Sequence, residues 1–213
     1  MSAVLCLSLR DRISGGGAFI DFGSGGGEAL TSIAMHTDKS LVPKLFGIDK
    51  NPRALSVARN AAANKGLGER IDYTEGSIVD PLALRTLREK LSGGGHFEKT
   101  VASVNALLHD IGKRAAHQFL NLFAATFPGT PLIITEIPRI SREALQAHPD
   151  YSAAAFQAMH HASGQELFTE QELEGLVQSC GFKIVSRQSH ASMPGVTAEG
   201  ERWNTAVSWI VQA

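Results

Sequence analysis

Apolar residues fall into short blocks separated by longer stretches with helical spacing. The blocks AFIDFG (18–23), KLFGID (44–49), IDYTEGS (71–77), KTVASVNAL (99–107) and TPLIITEIP (130–138) read as strands. Between them, 27–37, 51–68, 81–95 and 113–129 place apolar residues three and four apart, which predicts helices. Pro52 near the start and Gly66 near the end of the second helix match the usual proline-first, glycine-last asymmetry. Residues 141–163 read as irregular or helical. Thr169 is a predicted N-cap for a helix over 169–182. Two strands, 183–190 and 203–213, close the pattern around a turn-rich segment.

Repeated strand–helix alternation predicts an α/β fold, a parallel sheet with helices on both faces. Two consecutive final strands predict a closing hairpin with an antiparallel last strand. A length of 213 residues fits one domain with a full core, preceded by a short extension over 1–17. An apolar fraction of 43% is ordinary for a globule. The net charge of −1 argues against general attraction to nucleic acid or an anionic membrane. Cys6 and Cys180 make no disulfide framework and suit a reducing compartment. The opening MSAVLCLSLRDR lacks a basic leader and a clear cleavage site, and no apolar run approaches the ~20 residues of a membrane span. The expectation is a cytoplasmic protein.

Strand one runs into a cluster of glycines. Gly23, Gly25 and Gly27 are either a flexible loop or bare backbone on which a nucleotide-type ligand lies. The pattern is G-x-G-x-G. Glu28 stands where a dinucleotide fingerprint carries its third glycine, which weakens a pyrophosphate or NAD reading. Asp49 ends strand two, where a carboxylate can accept from a ribose diol, cap the next helix, or do both. The Gly76–Ser77 turn ends strand three, beside the place an adenine takes in such sheets.

IDFGSGGG, FGIDKNPRALSVARNAAA, YTEGSI and VASVNALLHDIG, in that order, resemble the class I S-adenosylmethionine-dependent methyltransferases. The resemblance covers roughly 18–213 and implies a Rossmann-like seven-stranded sheet with a reversed last strand. It implies that Asp21, Gly23, Gly25 and Gly27 hold the methionine portion, Asp49 the ribose, and Ser77 and Ile78 the adenine. Lys50, Gly76 and Asn105 complete the implied cofactor set. Ser77 departs from the acid that many relatives carry there.

His109 and Asp110 follow strand four. An imidazole suits removal of a proton from a phenol or enol, and the dull alternative is a surface histidine capping a helix. LLHDIGKRAAHQFLNLFAATFPGTPLIITE with GQELFTEQELEGLVQSCGF resembles the catalytic domain of small-molecule O-methyltransferases of secondary metabolism. That implies His109 as general base and Glu166 as a helper acid. Those enzymes carry an N-terminal winged-helix dimerisation domain, whereas 17 residues precede Ala18 here, which leaves a homodimer and the acceptor pocket in question. A related subset, the 2-oxo acid C-methyltransferases, implies a different use. There His109, Asp110 and His161 (or His160) would hold a divalent iron or zinc that favours enolisation.

Remaining residues have plainer readings. His36, His96, His117, His148 and His190 read as surface or packing, Trp203 and Trp209 as core or lid, and Cys180 as a small buried hydrophobe. Phe156 and Met159 flank the His pair and read as pocket or core. The expectation is S-adenosylmethionine-dependent O-methylation of a small molecule, with the metal-dependent C-methyltransferase as alternative. The Pro-Pro-aromatic run that marks amino-directed nucleic-acid methyltransferases after strand four is replaced here by NALLHD, and a non-catalytic scaffold of the same fold is the rival from another class.

Overall fold

The computed structural model describes residues 16–40, 42, 44–147, 151–191 and 205–213. Cys6, His148, Trp203 and the turn-rich linker before the last strand lie outside the described residues, as does most of the 1–17 extension. The elements in chain order are β1 (Ala18–Phe22), α1 (Glu28–His36), β2 (Lys44–Asp49), α2 (Pro52–Asn64), β3 (Ile71–Glu75) and α3 (Pro81–Gly93). After a short 3-10 turn come β4 (Val101–Asn105), α4 (Leu108–Thr126), β5 (Leu132–Glu136), α5 (Arg142–Ala147), α6 (Tyr151–Ala162), α7 (Glu170–Ser179), β6 (Lys183–Ala191) and β7 (Thr205–Gln212).

These strands form one seven-stranded sheet in the order β3-β2-β1-β4-β5-β7-β6. The first five are mutually parallel, and β7 runs antiparallel between β5 and β6. The reversed last strand is therefore as expected, but it inserts rather than closing the edge. Strand order reverses between β1 and β4, so their carboxyl ends border the crevice where ligands bind in open α/β sheets.

Both faces of the sheet are covered, which is why β1 is buried along its whole length. On one face Leu30, Ile33, Leu55 and Ala58 of α1 and α2 pack on Phe19, Leu45 and Tyr73. On the other, aromatic rings dominate. Phe22 meets Phe119 at 5.2 Å and Phe123 at 5.6 Å, both edge-on, and Phe123 stacks on Phe127 at 5.2 Å and Phe182 at 6.3 Å. Trp209 joins this core and donates Nε1 to Glu174 at 2.9 Å, so it is core, not lid. Cys180 is buried at the end of α7.

Local chemistry explains the element ends. Asn51 caps α2 by accepting from Arg53 N at 3.0 Å, and Thr169 and Glu172 form a reciprocal capping box on α7. The helix predicted from residue 113 starts at Leu108, with a backbone break at Gly112 (φ 77°, ψ 164°), and the 141–163 stretch contains the two helices α5 and α6. A buried guanidinium that periodicity could not show ties the end of α1 to the next strand. Arg70 donates to Thr37 O at 3.0 Å, Thr37 Oγ1 at 2.8 Å and Val42 O at 3.0 Å, and also to Ala34 O.

Among the described residues no helix is long and apolar enough to cross a membrane. Phe123 is fully buried against the rings of Phe22, Phe119, Phe127 and Phe182, so Phe123→Ala should cost about 3–5 kcal/mol through lost burial and a cavity. Urea unfolding checks this as a lowered midpoint at unchanged slope.

Candidate functional site

The glycine loop after β1 is held by the neighbouring strand. Gly23 N and Ser24 N both donate to Ile48 O, at 2.8 and 3.1 Å, and Gly25 N donates to Asp49 Oδ2 at 2.9 Å. Asp49 Oδ1 accepts from Asn51 N at 2.8 Å. The capping role considered for Asp49 thus belongs to Asn51, and Asp49 pins the loop. At Gly27 (φ 79°) an added Cβ would lie 2.2 Å from the Tyr73 hydroxyl, whereas at Gly25 (φ 51°) it would meet nothing within 4 Å. The first glycine is demanded by packing. The second leaves bare backbone facing open space.

Beside this loop lies a cavity of about 320 Å³. Gly23, Asp49, Lys50, Gly76, Ser77 and Ile78, all anticipated from sequence, line it. Asp110, anticipated only as a metal ligand, and Val79, Leu107, Ile111 and Ala115, not anticipated from sequence, complete the wall. They come from the turn after β3 and the first turns of α4, and no local motif marks the apolar ones. Asp21 and Asn105 point elsewhere. The Asp21 carboxylate is buried and accepts from Ser103 Oγ at 2.7 Å and Asn105 Nδ2 at 2.9 Å, stitching β1 to β4. Burial pushes the Asp21 carboxyl up to about 6, against the opposing pull of those two hydrogen bonds. Asp21, Asn105, Gly25 and Gly27 therefore shape the floor and are not part of the cavity lining.

At the other wall, the chain leaves β4 through Ala106, which has φ 47°, a left-handed conformation costly for a residue with a Cβ. The segment that follows is fastened by one carboxylate. Glu136 ends β5 and is 2% exposed, and its Oε1 accepts from Leu107 N at 3.0 Å and Leu108 N at 2.7 Å. Its Oε2 lies 2.6 Å from His109 Nδ1. Glu136 thus caps α4 and accepts from His109 Nδ1–H, which leaves the neutral ring's lone pair on Nε2. His109 is itself 5% exposed, which removes the surface-histidine alternative. Burial presses the imidazole toward the neutral form, but the hydrogen bond and charge of Glu136, with Asp110 adding, outweigh it and raise the His109 pKa above its ordinary 6.5. Nε2 lies 3.3 Å from Asp110 Oδ1, and that carboxylate also accepts from Gln165 Nε2.

Two expected partners of His109 lie elsewhere. Glu166 donates its backbone N to His109 O at 3.2 Å, but its carboxylate turns outward to Lys113 Nζ at 3.0 Å. The acid that meets His109 is instead Glu136, which lies inside the predicted strand 130–138 beside β4. The register pairs Asn105 with Thr135, so residue 136 falls next to the turn that carries His109. His161 is exposed and lines a separate cavity of about 340 Å³ with Arg139, Gln157, Gln165 and Glu166. His160 meets His109 instead, with ring centroids 5.2 Å apart, and its Nδ1 donates to Phe156 O at 2.7 Å. His109, Asp110 and His161 are not brought together, and among the described residues no group of three or more His, Cys, Asp or Glu is placed to hold an ion. The side chains as placed do not fit a divalent metal.

No protein-family model matches the chain. A curated relative, the probable cobalt-precorrin-6B C(15)-methyltransferase (decarboxylating) of Pyrobaculum aerophilum, is 33% identical over 86 residues, 39% of this chain and 43% of that protein. The match thus spans under half the length of either chain. A solved S-adenosylmethionine-dependent methyltransferase from Anabaena variabilis superposes with TM-score 0.64 at 16% identity over 99% of this chain and 82% of that one. The methyltransferase domain of a bacterial Hen1 protein gives 0.64 at 17% identity over 97% and 95%. The pyocyanin biosynthetic protein PhzM gives 0.62 at 14% identity over 99% and 56%. The fold is that of the class I methyltransferases.

The two loop glycines should respond differently to a methyl group. Gly25→Ala should cost about 1–2 kcal/mol of stability, the price of a left-handed alanine. Gly27→Ala should cost more, because overlap with Tyr73 adds to the same backbone strain. Denaturant unfolding of the two variants side by side checks the order.

Proposed function

We propose that this chain is an S-adenosylmethionine-dependent methyltransferase that methylates an oxygen of a small molecule, with His109 as proton acceptor. The observation that carries the reading is the buried His109–Glu136 pair, 2.6 Å apart, set beside a cavity suited to an adenosyl ligand. The lining fits that ligand. Each Asp49 oxygen already accepts one backbone N–H, yet a carboxylate oxygen has a second lone pair, so a ribose diol can still be bound. Ile78, Val79, Leu107 and Ile111 supply apolar surface for a purine, and the Ser77 hydroxyl supplies a polar contact in place of the more usual acid. Gly23, which lines the cavity at φ 72°, brings bare backbone to the ligand without a Cβ between them.

When bound, S-adenosylmethionine supplies an electrophilic methyl group on a sulfonium. The chain's task is to hold the acceptor oxygen in line with that methyl and to remove its proton. Glu136 fixes the His109 ring and tautomer, so Nε2 presents its lone pair in one direction. The acceptor O–H bond breaks, an N–H bond forms at Nε2, and the resulting imidazolium is stabilised by Glu136 and Asp110. Preference for oxygen over carbon rests on this base, since the curated relative's name puts its methyl on carbon. The names of that relative and of PhzM support a small acceptor, and the net charge of −1 offers no field for nucleic acid. A cytoplasmic setting belongs to the same reading.

Calorimetric titration with S-adenosylmethionine tests the proposal first. Absence of heat and of any thermal shift would favour the non-catalytic scaffold. His109→Ala should keep cofactor affinity and lower methyl transfer by about 10²–10⁴-fold.

A pH profile tests the pair. The base works when neutral and its pKa is raised, so kcat/KM should climb with a midpoint above pH 6.5. Glu136→Gln removes the raising partner, so the midpoint should move to lower pH while the plateau falls. The stability arm has the opposite sense. A raised folded pKa gives stability fully present below 6.5 and lost as pH rises through the folded value. Wild type should lose that increment over this window, and Glu136→Gln should not.

A further inference from the structure

The 340 Å³ cavity shares no lining residue with the cavity beside the glycine loop. Arg139 reaches it from the loop after β5, Gln157, Ala158 and His161 from α6, and Gln165 and Glu166 from the linker before α7. Hydrogen bonds fix these pieces of chain against their neighbours. Arg139 N donates to Phe168 O at 2.6 Å, and Gln165 N donates to His160 O at 2.9 Å. With its amide turned to suit both ends, Gln157 donates to Ile140 O and accepts from Ile140 N, each at 3.2 Å. The α6 helix is thereby fastened to the loop that carries Arg139.

We propose that this second cavity holds the methyl acceptor, and that the acceptor is a small acid whose carboxylate is read by Arg139 and His161. The inference rests on the methyltransferase reading above and adds the substrate class. Position supports it first. Gln165 lines this cavity, its Nε2 donates to Asp110 Oδ1, and Asp110 lines the 320 Å³ cavity. At that point one hydrogen-bonded pair of side chains separates the two spaces. The adjacent Glu166 N donates to His109 O at 3.2 Å, so the second cavity backs on to the segment that carries His109. A ligand held there lies against that segment and leaves the donor's space open.

Hydrogen-bonding capacity sets the class. The accepting groups on the wall are engaged already. Glu166 turns its carboxylate to Lys113 at 3.0 Å, Gln165 Oε1 accepts from the Ser163 hydroxyl at 3.1 Å, and Gln157 is used by Ile140. Donors are what remain. Among the described residues the Arg139 guanidinium has one partner, Glu172 Oε2 at 3.3 Å, and that oxygen also accepts from Thr169 N. Most of the guanidinium N–H groups are therefore left for a ligand. The His161 side chain is exposed and has no partner among the described residues. A planar guanidinium matches the two oxygens of a carboxylate, and an imidazole N–H can serve a further lone pair. Arg139 and Lys113 balance Glu166 and Glu172, and Asp110 stands behind the Gln165 amide, so the fork and not a general field does the reading. Arg139 is 48% exposed at its side chain, so solvent screens the pairing and the preference for an acid over its neutral analogue is about tenfold.

Two probes of matched shape, 4-hydroxybenzoate and the uncharged 4-hydroxybenzamide, test this by magnetic-resonance titration of the whole chain. Wild type should bind the acid about tenfold more tightly than the amide. Arg139→Gln should bring the two within about twofold, and Arg139→Lys should keep part of the preference. Ala158→Phe, at an exposed position on the cavity wall, should block both probes. Equal binding of acid and amide by wild type, no binding of either up to ~10 mM, or binding untouched by Ala158→Phe overturns the inference and leaves the cofactor reading intact. With both ligands bound, an Overhauser effect between 4-hydroxybenzoate and S-adenosylhomocysteine should appear, and its absence overturns the acceptor role. Wild type that binds the acid but not S-adenosylmethionine overturns the methyltransferase reading and the acceptor role with it. Should Arg139→Gln fail to fold, a salt series on wild type decides. The advantage of the acid should shrink between ~0.02 and ~1 M salt as screening grows, and a flat ratio overturns the proposal.

Discussion

One buried carboxylate organises the candidate site. Glu136 is almost fully enclosed, and an ionised group in that position is tolerated only when its lone pairs are used. Two backbone N–H groups and the His109 imidazole use them. The same three bonds cap α4, set the His109 ring and choose its tautomer. The sheet puts Glu136 there: β4 and β5 pair in parallel with Asn105 opposite Thr135, so the last residue of β5 meets the first residues beyond β4. Remove the register and His109 loses its position. Keep the register but remove the acid, and three donors are left buried without it.

A second carboxylate does the same for the other wall. Asp49 takes the Gly25 N–H and the Asn51 N–H, so the glycine loop and the start of α2 hang from one side chain. Beneath the loop, the Asp21 hydrogen bonds to Ser103 and Asn105 lock β1 to β4 where strand order reverses. The cavity is thus framed by acids that bind backbone or neighbouring side chains first. Its ligand-facing chemistry is what they leave over.

This division explains what could be read from sequence. Asp49, Lys50, Gly76, Ser77 and Ile78 line the cavity because each sits within three residues of a strand end, and strand ends are visible as breaks in apolar blocks. Glu136 also ends a strand, but its partner is 27 positions away and the pairing is set by sheet register, which no local pattern states. Glu166 has the opposite fault: it is close in space through its backbone, while its side chain answers to Lys113. The adjacent histidines turn on helix phase. Residues 160 and 161 differ by about 100° around a helix, so one ring faces inward. Phe156 and His160, four apart, share that inner face, and their rings lie 4.0 Å apart. Arg70, the glycine-to-tyrosine packing at Gly27 and the insertion of β7 between β5 and β6 are all tertiary facts of the same kind.

The segment that carries His109 is short and unusual at both ends. It is entered through Ala106 at φ 47° and left through Gly112 at φ 77°, ψ 164°, so this first turn of α4 is set off from both β4 and the rest of its helix. A left-handed alanine costs about 1–2 kcal/mol and persists only where surrounding contacts over-determine it. Glu136 supplies those contacts at the entrance. At the exit Lys113 is gripped by Glu166 and Glu172, both at 3.0 Å, and the hydrogen bonds they accept raise its pKa. Glu172 in turn is held down to about 2, chiefly by the Thr169 backbone N–H of the α7 capping box and also by Lys113. The far anchor of the His109 turn is therefore the N-terminus of another helix. An imidazole clamped between a sheet edge and a helix cap cannot drift with its own loop, and a fixed direction of Nε2 is what the proposed proton removal would require.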